Sequence, residues 1–314
     1  MNLTKNLLLV YYPGAGKGQF KNNLHAVVDT FTKAGYLTTL YPTQQAQDVY
    51  QIIKAYGTCP PDKDPASFRF PYDLLVISGG DGTLHECINA VMEMPESVHM
   101  PIGYIPAGST NDFAVSHTIP KEPIAAAEAI VSGSPVPFDI GLFGTRYFSY
   151  VAAFGSFTDV TYDTPQEVKN IWGHLAYVIE GAKRFPSYKP HHMIVDADGE
   201  KIEGDFLLGM VANTTSVGGF AIKHDEISLQ DGLSDLILIR YTNDALQNLA
   251  TLNAVLTQDF SSPGLVYRKV KKARFLSEES IAWTLDGEYG GEYTDISTDT
   301  CANALSFMCA DWNN

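Results

Sequence analysis

The sequence predicts two domains, a parallel α/β domain followed by a mostly antiparallel β domain, on three observations. At 314 residues the chain exceeds the size at which a single hydrophobic core stops growing. Its first part alternates short, unbroken apolar runs with segments whose apolar residues recur at helical spacing, the rhythm of strands buried on both faces and joined by crossover helices. After Ser134-Pro135-Val136-Pro137 the pattern changes to short strands separated by glycine turns. The boundary is therefore set near Pro137, giving domains 1–137 and 138–302, with the C-terminal segment of about 303–314 available to complete the first.

The first domain is organised around Tyr72 to Glu86. Leu74 to Ile77 is a β-branched run without alternation, expected of a strand inside a parallel sheet. Gly79 and Gly80 let the backbone turn sharply at its carboxyl end, and Gly82 and Thr83 lead into a helix expected to begin near Leu84. A helix start presents N–H groups to phosphate, and ligands of open α/β sheets bind outside the carboxyl ends of strands, where Asp81 falls. Taken alone, Gly-Gly-Asp-Gly is equally an ordinary strand-to-helix turn with Asp81 as its cap.

In chain order, Leu7 to Tyr11 is a buried strand, then Pro13-Gly14-Ala15-Gly16-Lys17-Gly18 forms a glycine loop before a helix carrying Phe20, Leu24, Val27, Val28 and Phe31. Strand, glycine loop and helix suit a phosphate site, with Gly14, Gly16 and Lys17 as its candidates. The loop lacks Gly-x-Gly-x-x-Gly, and Gly18 follows Lys17 where a P-loop has Ser or Thr, which argues against both stock nucleotide fingerprints. Leu37 to Thr43 is the next strand and its exit, Gln47 to Tyr56 a helix, and Cys59 to Pro71 a surface loop. Glu86 to Met94 continues the central helix. Met100 to Pro106 is a fourth strand ending in Ala107-Gly108-Ser109-Thr110-Asn111-Asp112-Phe113-Ala114, a second polar loop able to hold phosphate oxygens and a metal, or simply to cap a helix. Ile124 to Val131 is a further helix.

In the second domain, strands are expected at Phe138 to Phe143, Arg146 to Ala152, His192 to Val195, Gly204 to Asn213, Leu236 to Tyr241, Ala273 to Leu276, Ile281 to Leu285 and Leu305 to Met308. Helices are expected at about Thr164 to Arg184 and Ala245 to Leu256. Asp81, Asp112 and Asp139, near phosphate-binding backbone, suit a magnesium–nucleotide site. Phosphoryl transfer also asks for a base near the acceptor hydroxyl. Trp283-Thr284-Leu285-Asp286-Gly287-Glu288 offers one, since Asp286 and Glu288 sit on a tight turn; the plain reading of Asp-Gly is a hairpin.

Composition narrows the partners. The formal charge of −15 argues against a nucleic-acid binder. Cys59, Cys87, Cys301 and Cys309 have neither metal-ligand spacing nor disulfide density, which fits a reducing cytoplasm. No run approaches about 18 apolar residues, so contact with a membrane is expected to be peripheral. Two segments suit such contact: Arg268-Lys269-Val270-Lys271-Lys272-Ala273-Arg274, equally readable as a solvated edge strand, and the basic and aromatic stretch Lys183 to Lys189.

Four ordered motifs carry a resemblance. Gly79-Gly80-Asp81-Gly82-Thr83, Gly108-Ser109-Thr110-Asn111-Asp112-Phe113-Ala114, Asp231-Gly232-Leu233 and Leu285-Asp286-Gly287-Glu288 make nearly the full chain similar to the diacylglycerol kinase catalytic-domain family of soluble bacterial lipid kinases. The resemblance implies a Rossmann-like α/β domain, a β-sandwich acceptor domain and a nucleotide cleft between them. It implies ATP held by Thr43, by Gly79, Gly80, Asp81, Gly82, Thr83, Leu84 and His85, and by Ser109 with Thr110 and Asn111. Asp286 is implied as the base, Asp81, Asp112 and Asp139 as organisers of catalytic magnesium, and Asp231 with the carbonyls of Ser228 and Leu233 as a structural magnesium site. Tyr12 stands where the family has Asn, and Ser109 where Thr is usual. The expected activity is transfer of the ATP γ-phosphate to a lipid hydroxyl, foremost that of diacylglycerol. A sphingoid base, phosphatidylglycerol or a dinucleotide as acceptor, a non-catalytic nucleotide-binding regulator, and a homodimeric assembly all stay open at this point.

Overall fold

The computed structural model describes residues 5–155, 189–217, 220–222 and 227–310. The chain divides into two compact units, residues 1–138 with 303–314, and residues 139–302. The expected helix at Thr164 to Arg184 and most of Lys183 to Lys189 lie outside the described residues.

In unit 1, β1 (Lys5–Tyr11), β2 (Tyr36–Pro42), β3 (Leu74–Gly79) and β4 (Ile102–Pro106) form a parallel sheet in the order β4-β3-β1-β2. Leu7 pairs with Leu74 on one side and Thr38 on the other, and Leu75 pairs with Ile102. Every residue of β3 and β4 is buried, as unbroken apolar runs require of central strands. Helices α1 (Gln19–Lys33), α2 (Asp48–Gly57), α3 (Asp81–Met92), α4 (Asp112–Ser116) and α5 (Pro123–Ser132) connect the strands. Leu7, Leu9, Phe20, Val27, Phe31, Val76, Ile105 and Ile130 share one core, joining α1 and α5 to a single sheet face.

In unit 2, β5 (Ser134–Phe143), which begins in unit 1, pairs with β6 (Arg146–Phe148). Next come β7 (Val151–Gly155), β8 (His191–Ala197), β9 (Glu200–Ala212), the short β10 (Ser216–Val217) and β11 (Phe220–Ala221), and β12 (Ser234–Tyr241). Helix α6 (Ala245–Thr257) precedes β13 (Leu265–Val270), β14 (Lys272–Leu285) and β15 (Glu288–Cys309). The sheet is antiparallel in the order β13-β12-β9-β7-β14-β15. β7 and β8 lie end to end between β9 and β14, pairing with the later and earlier halves of both. Phe143, Phe154, Phe206, Phe275 and Trp283 fill the core against Val195, Val211 and Leu238. The end of β15 returns to unit 1, where Phe307 pairs with Ile102.

Several expectations change. α3 begins at Asp81, three residues before the expected start, because Gly80 in extended conformation lets Leu84 N–H donate to Gly80 O at 3.1 Å and close the first turn there. Ser134 to Pro137, where the pattern changes and the domain boundary is expected, is the start of β5. The expected strands 273–276 and 281–285 are one, its register interrupted between Leu276 and Ile281. The basic run is split at Lys271, where the N–H groups of Lys271 and Lys272 donate to the Asp198 carboxylate at 2.7 and 2.9 Å. The Asp-Gly hairpin is present: Leu285 pairs with Glu288 across a two-residue turn in which Asp286 and Gly287 both have positive φ.

Candidate active site

In unit 1 the candidate residues gather at the carboxyl ends of the parallel strands. Gly79 closes β3, and its carbonyl accepts from Ala107 N at 2.8 Å and from the Tyr104 hydroxyl at 3.1 Å, tying the ends of β3 and β4 together. A Cβ on Gly79 would lie 2.4 Å from Thr83 Oγ1, and one on Gly108 would lie 2.6 Å from Gly80 Cα. The two polar loops thus cross glycine against glycine, at a separation that leaves no space for a Cβ on Gly108. Asn111, in left-handed conformation, locks the second loop: its Oδ1 accepts from Gly108 N at 2.8 Å and its Nδ2 donates to Gly108 O at 2.9 Å.

This crossing joins two helix starts. Asp81 opens α3, Asp112 opens α4, and Asp112 N–H faces Asp81 Oδ2 at 3.4 Å. The first turn of α3 leaves the N–H groups of Gly82 and Thr83 without intrahelical acceptors, as at any helix start. Burial together with the Asp81 charge pushes the Tyr104 hydroxyl well above its ordinary pKa, so Tyr104 stays a neutral donor. His85 is buried at the start of the second turn of α3, its Nε2 3.3 Å from Asn89 Nδ2. Glu86 accepts from Gln47 N at 2.8 Å at the start of α2; burial raises its pKa, partly offset by backbone N–H groups of Gln47, Val49 and Tyr50.

The other nucleotide candidates vary in commitment. Gly14 is exposed beneath the Tyr12 ring, where a Cβ would lie 2.9 Å from Tyr12 Cζ, and Gly16 and Lys17 belong to a short 3-10 turn, Ala15–Gly18. Thr43 is buried just past β2, its N–H donating to Tyr11 O at 2.9 Å. Ser109 is exposed and Thr110 half-buried at the crest of the second loop. Leu84 is fully buried with its N–H taken by Gly80, and the Asn111 amide is spent on Gly108. Both therefore shape the loops.

In unit 2, Asp286 is 3% exposed. Its Oδ2 accepts from Ser149 N at 2.7 Å and Ser149 Oγ at 3.0 Å, and its Oδ1 from Tyr150 N at 2.9 Å and Val151 N at 3.1 Å. Glu288 is exposed at the start of β15. Asp139, buried on β5, accepts from Gly232 N at 2.6 Å through Oδ2, while its carbonyl accepts from Asn213 Nδ2 at 2.8 Å. Ser149, Tyr150 and Asn213 were not singled out in the sequence. They meet these aspartates across 74 to 137 residues of chain, a pairing that no local spacing encodes.

Among the described residues no group of three His, Cys, Asp or Glu side chains is clustered as metal ligands. Asp81 and Asp112 nevertheless fit catalytic magnesium, which takes one or two carboxylates and completes its shell with phosphate oxygens and water. Asp231 is different. Lys269 pairs with its Oδ2, and its Oδ1 accepts from Leu233 N at 3.1 Å. Each oxygen thus carries one of the two donors it can accept, so the set expected from Asp231 with the carbonyls of Ser228 and Leu233 keeps lone pairs for a cation, in competition with the Lys269 ammonium.

Four of the five cations of the basic run are paired. Arg268 pairs with Glu200, Lys272 with Asp299 and Arg274 with Asp295 at 2.8, 2.8 and 2.6 Å, and Lys269 with Asp231. The guanidiniums of Arg268 and Arg274 are held above their ordinary pKa by these partners. Among the described residues no helix is long and apolar enough to cross a membrane.

The chain is 34% identical to the diacylglycerol kinase of Bacillus subtilis strain 168 over 288 residues, 91% of each chain. It belongs to the diacylglycerol kinase family. The diacylglycerol kinase catalytic domain matches residues 6–143, and a YegS C-terminal NAD kinase β sandwich-like domain matches residues 157–307. A diacylglycerol kinase of Staphylococcus carnosus is 32% identical over 295 residues, 92% of this chain and 90% of that one. A crystal structure of a diacylglycerol kinase from Bacillus anthracis str. Sterne superposes with a TM-score of 0.74 over 98% of this chain and 97% of that one, at 18% identity, a likeness of fold. The chain is a lipid kinase, and use of ATP follows from that family membership.

Proposed function

We propose that this lipid kinase transfers the γ-phosphate of ATP, with magnesium, to the hydroxyl of diacylglycerol, giving phosphatidic acid. The observation that supports phosphoryl transfer is the crossing of Gly80 and Gly108, which aligns two helix starts and two carboxylates at the carboxyl ends of parallel strands. Diacylglycerol is favoured over other acceptors because the relatives matching nine-tenths of the chain are diacylglycerol kinases.

In this reading the N–H groups from Gly79 to Thr83, with the Gly14 to Lys17 turn, bind phosphate, and Thr43, Ser109 and Thr110 line the nucleotide. Asp81 and Asp112 hold magnesium, which neutralises charge on the phosphate oxygens. Asp139 steadies the Asp231 turn through Gly232, and Asp286 takes the proton of the acceptor hydroxyl. The lipid is met by peripheral contact with a bilayer.

The test is transfer of labelled γ-phosphate to diacylglycerol, sphingosine and phosphatidylglycerol in mixed micelles and to a dinucleotide in solution. Product with diacylglycerol alone is expected. Product with another acceptor alone would overturn the substrate and keep the chemistry; ATP binding without product from any acceptor would overturn the catalytic reading.

A further inference from the structure

The Asp286 carboxylate already accepts a full set of hydrogen bonds from described residues. A carboxylate offers about four lone-pair positions, and four donors occupy them: three backbone N–H groups from Ser149, Tyr150 and Val151, and the Ser149 hydroxyl. The backbone donors are fixed. Asp286 N also donates to Val151 O at 2.9 Å, closing the turn onto the start of β7. Of the four, the Ser149 hydroxyl alone turns about a single bond.

We propose that the proton of the acceptor hydroxyl reaches Asp286 through Ser149 Oγ, a role that rests on the reading of Asp286 as the base. A hydroxyl that donates keeps two lone pairs with which to accept. The lipid alcohol donates to Ser149 Oγ while Ser149 donates to Asp286 Oδ2. As the alcohol oxygen bonds to the γ-phosphorus, the bond from that phosphorus to the β,γ-bridging oxygen breaks and ADP leaves. The alcohol proton passes to Ser149 Oγ as the Ser149 proton passes to Asp286 Oδ2. The products are a phosphate monoester, an intact Ser149 hydroxyl and a protonated Asp286.

The setting is dry and apolar. Ser149 is 2% exposed. Tyr150 and Val151, whose N–H groups hold Oδ1, belong to an apolar cluster with Ala153 and Ala212, packed by Met210 and Val217. Water has little access, so a relay through a protein hydroxyl replaces one through solvent.

The experiment compares full-length parent, Ser149→Ala, Ser149→Cys and Asp286→Asn in single-turnover transfer from ATP and magnesium to diacylglycerol in mixed micelles. In Ser149→Ala the three backbone donors still hold the carboxylate, so loss of position is small and loss of the relay is what the rate reads. Expected is a fall in kcat of about 10²-fold with unchanged KM for ATP. Ser149→Cys keeps a proton-bearing atom; it should recover part of the rate and show a new alkaline limb above about pH 8.5, where a thiol ionises. Asp286→Asn should abolish transfer. Ser149→Ala at or above the parental rate, with Asp286→Asn inactive, would overturn the relay and leave Asp286 as the base. Full activity in Asp286→Asn would overturn the base and the relay together. Should Ser149→Ala not fold, the Cys variant decides: the parental pH profile at the parental rate would overturn the relay.

Discussion

Gly108→Ala tests whether the crossing of the two loops is what assembles the nucleotide site. The new Cβ would lie 2.6 Å from Gly80 Cα and 2.8 Å from Asn111 Oδ1, whereas ordinary contact begins at 3.4 Å. The nearest atom is backbone, so no side chain can rotate aside, and the loops must part by roughly 1 Å. Overpacking of this kind costs about 1 to 3 kcal/mol. Parting also strains the two bonds between Asn111 and Gly108, each worth about 1 kcal/mol. A shift of about 1 Å in a positioning element is enough to lower a rate about 10²-fold. The assays are urea unfolding, ATP titration and single-turnover transfer. Gly80→Ala is the internal comparison for stability, since its Cβ would lie 3.2 Å from Gly108 Cα, an approach relieved by a few tenths of an ångström. It should stay within about 1 kcal/mol of the parent. Parental stability and rate in Gly108→Ala, or equal losses in both variants, would refute the argument.

Three further outcomes follow from particular contacts. His117 is buried between Phe113 and Phe138, and burial lowers its pKa from 6.5 to about 4. The unfolded chain therefore binds the proton first, and stability present above pH 6.5 falls by roughly 3 kcal/mol as pH drops toward 4; in His117→Phe that part of the decline should vanish from a pH series of urea unfolding, and an unchanged slope would contradict it. Lys269→Met leaves Asp231 without its ammonium, so thermal unfolding of the variant should respond to magnesium at a lower concentration than that of the parent; an equal response in both would show that Lys269 does not compete with the ion. Because Arg268 and Arg274 are exposed and paired, the Arg268→Ala/Arg274→Ala double variant should bind phosphatidylglycerol vesicles within about threefold of the parent; a tenfold loss in sedimentation would restore the basic strand as a docking surface.

The sequence by itself determined the order of elements in unit 1, because unbroken apolar runs ending in glycine, followed by 3.6-residue periodicity, admit little besides buried parallel strands and crossover helices. It also determined the Asp286-Gly287 hairpin, since only residues tolerant of positive φ fit such a turn. It was weaker in unit 2, where strands of up to 22 residues in β15 run through polar, glycine-containing segments whose pairing comes from distant chain. Tertiary structure alone decided that Gly80 meets Gly108, that Lys269 answers Asp231, and that the Asp286 carboxylate turns inward onto Ser149, Tyr150 and Val151. The physical reason is range. Propensity and periodicity act over a turn or two of chain, whereas the pairings that place these groups form only when segments far apart in sequence are packed together.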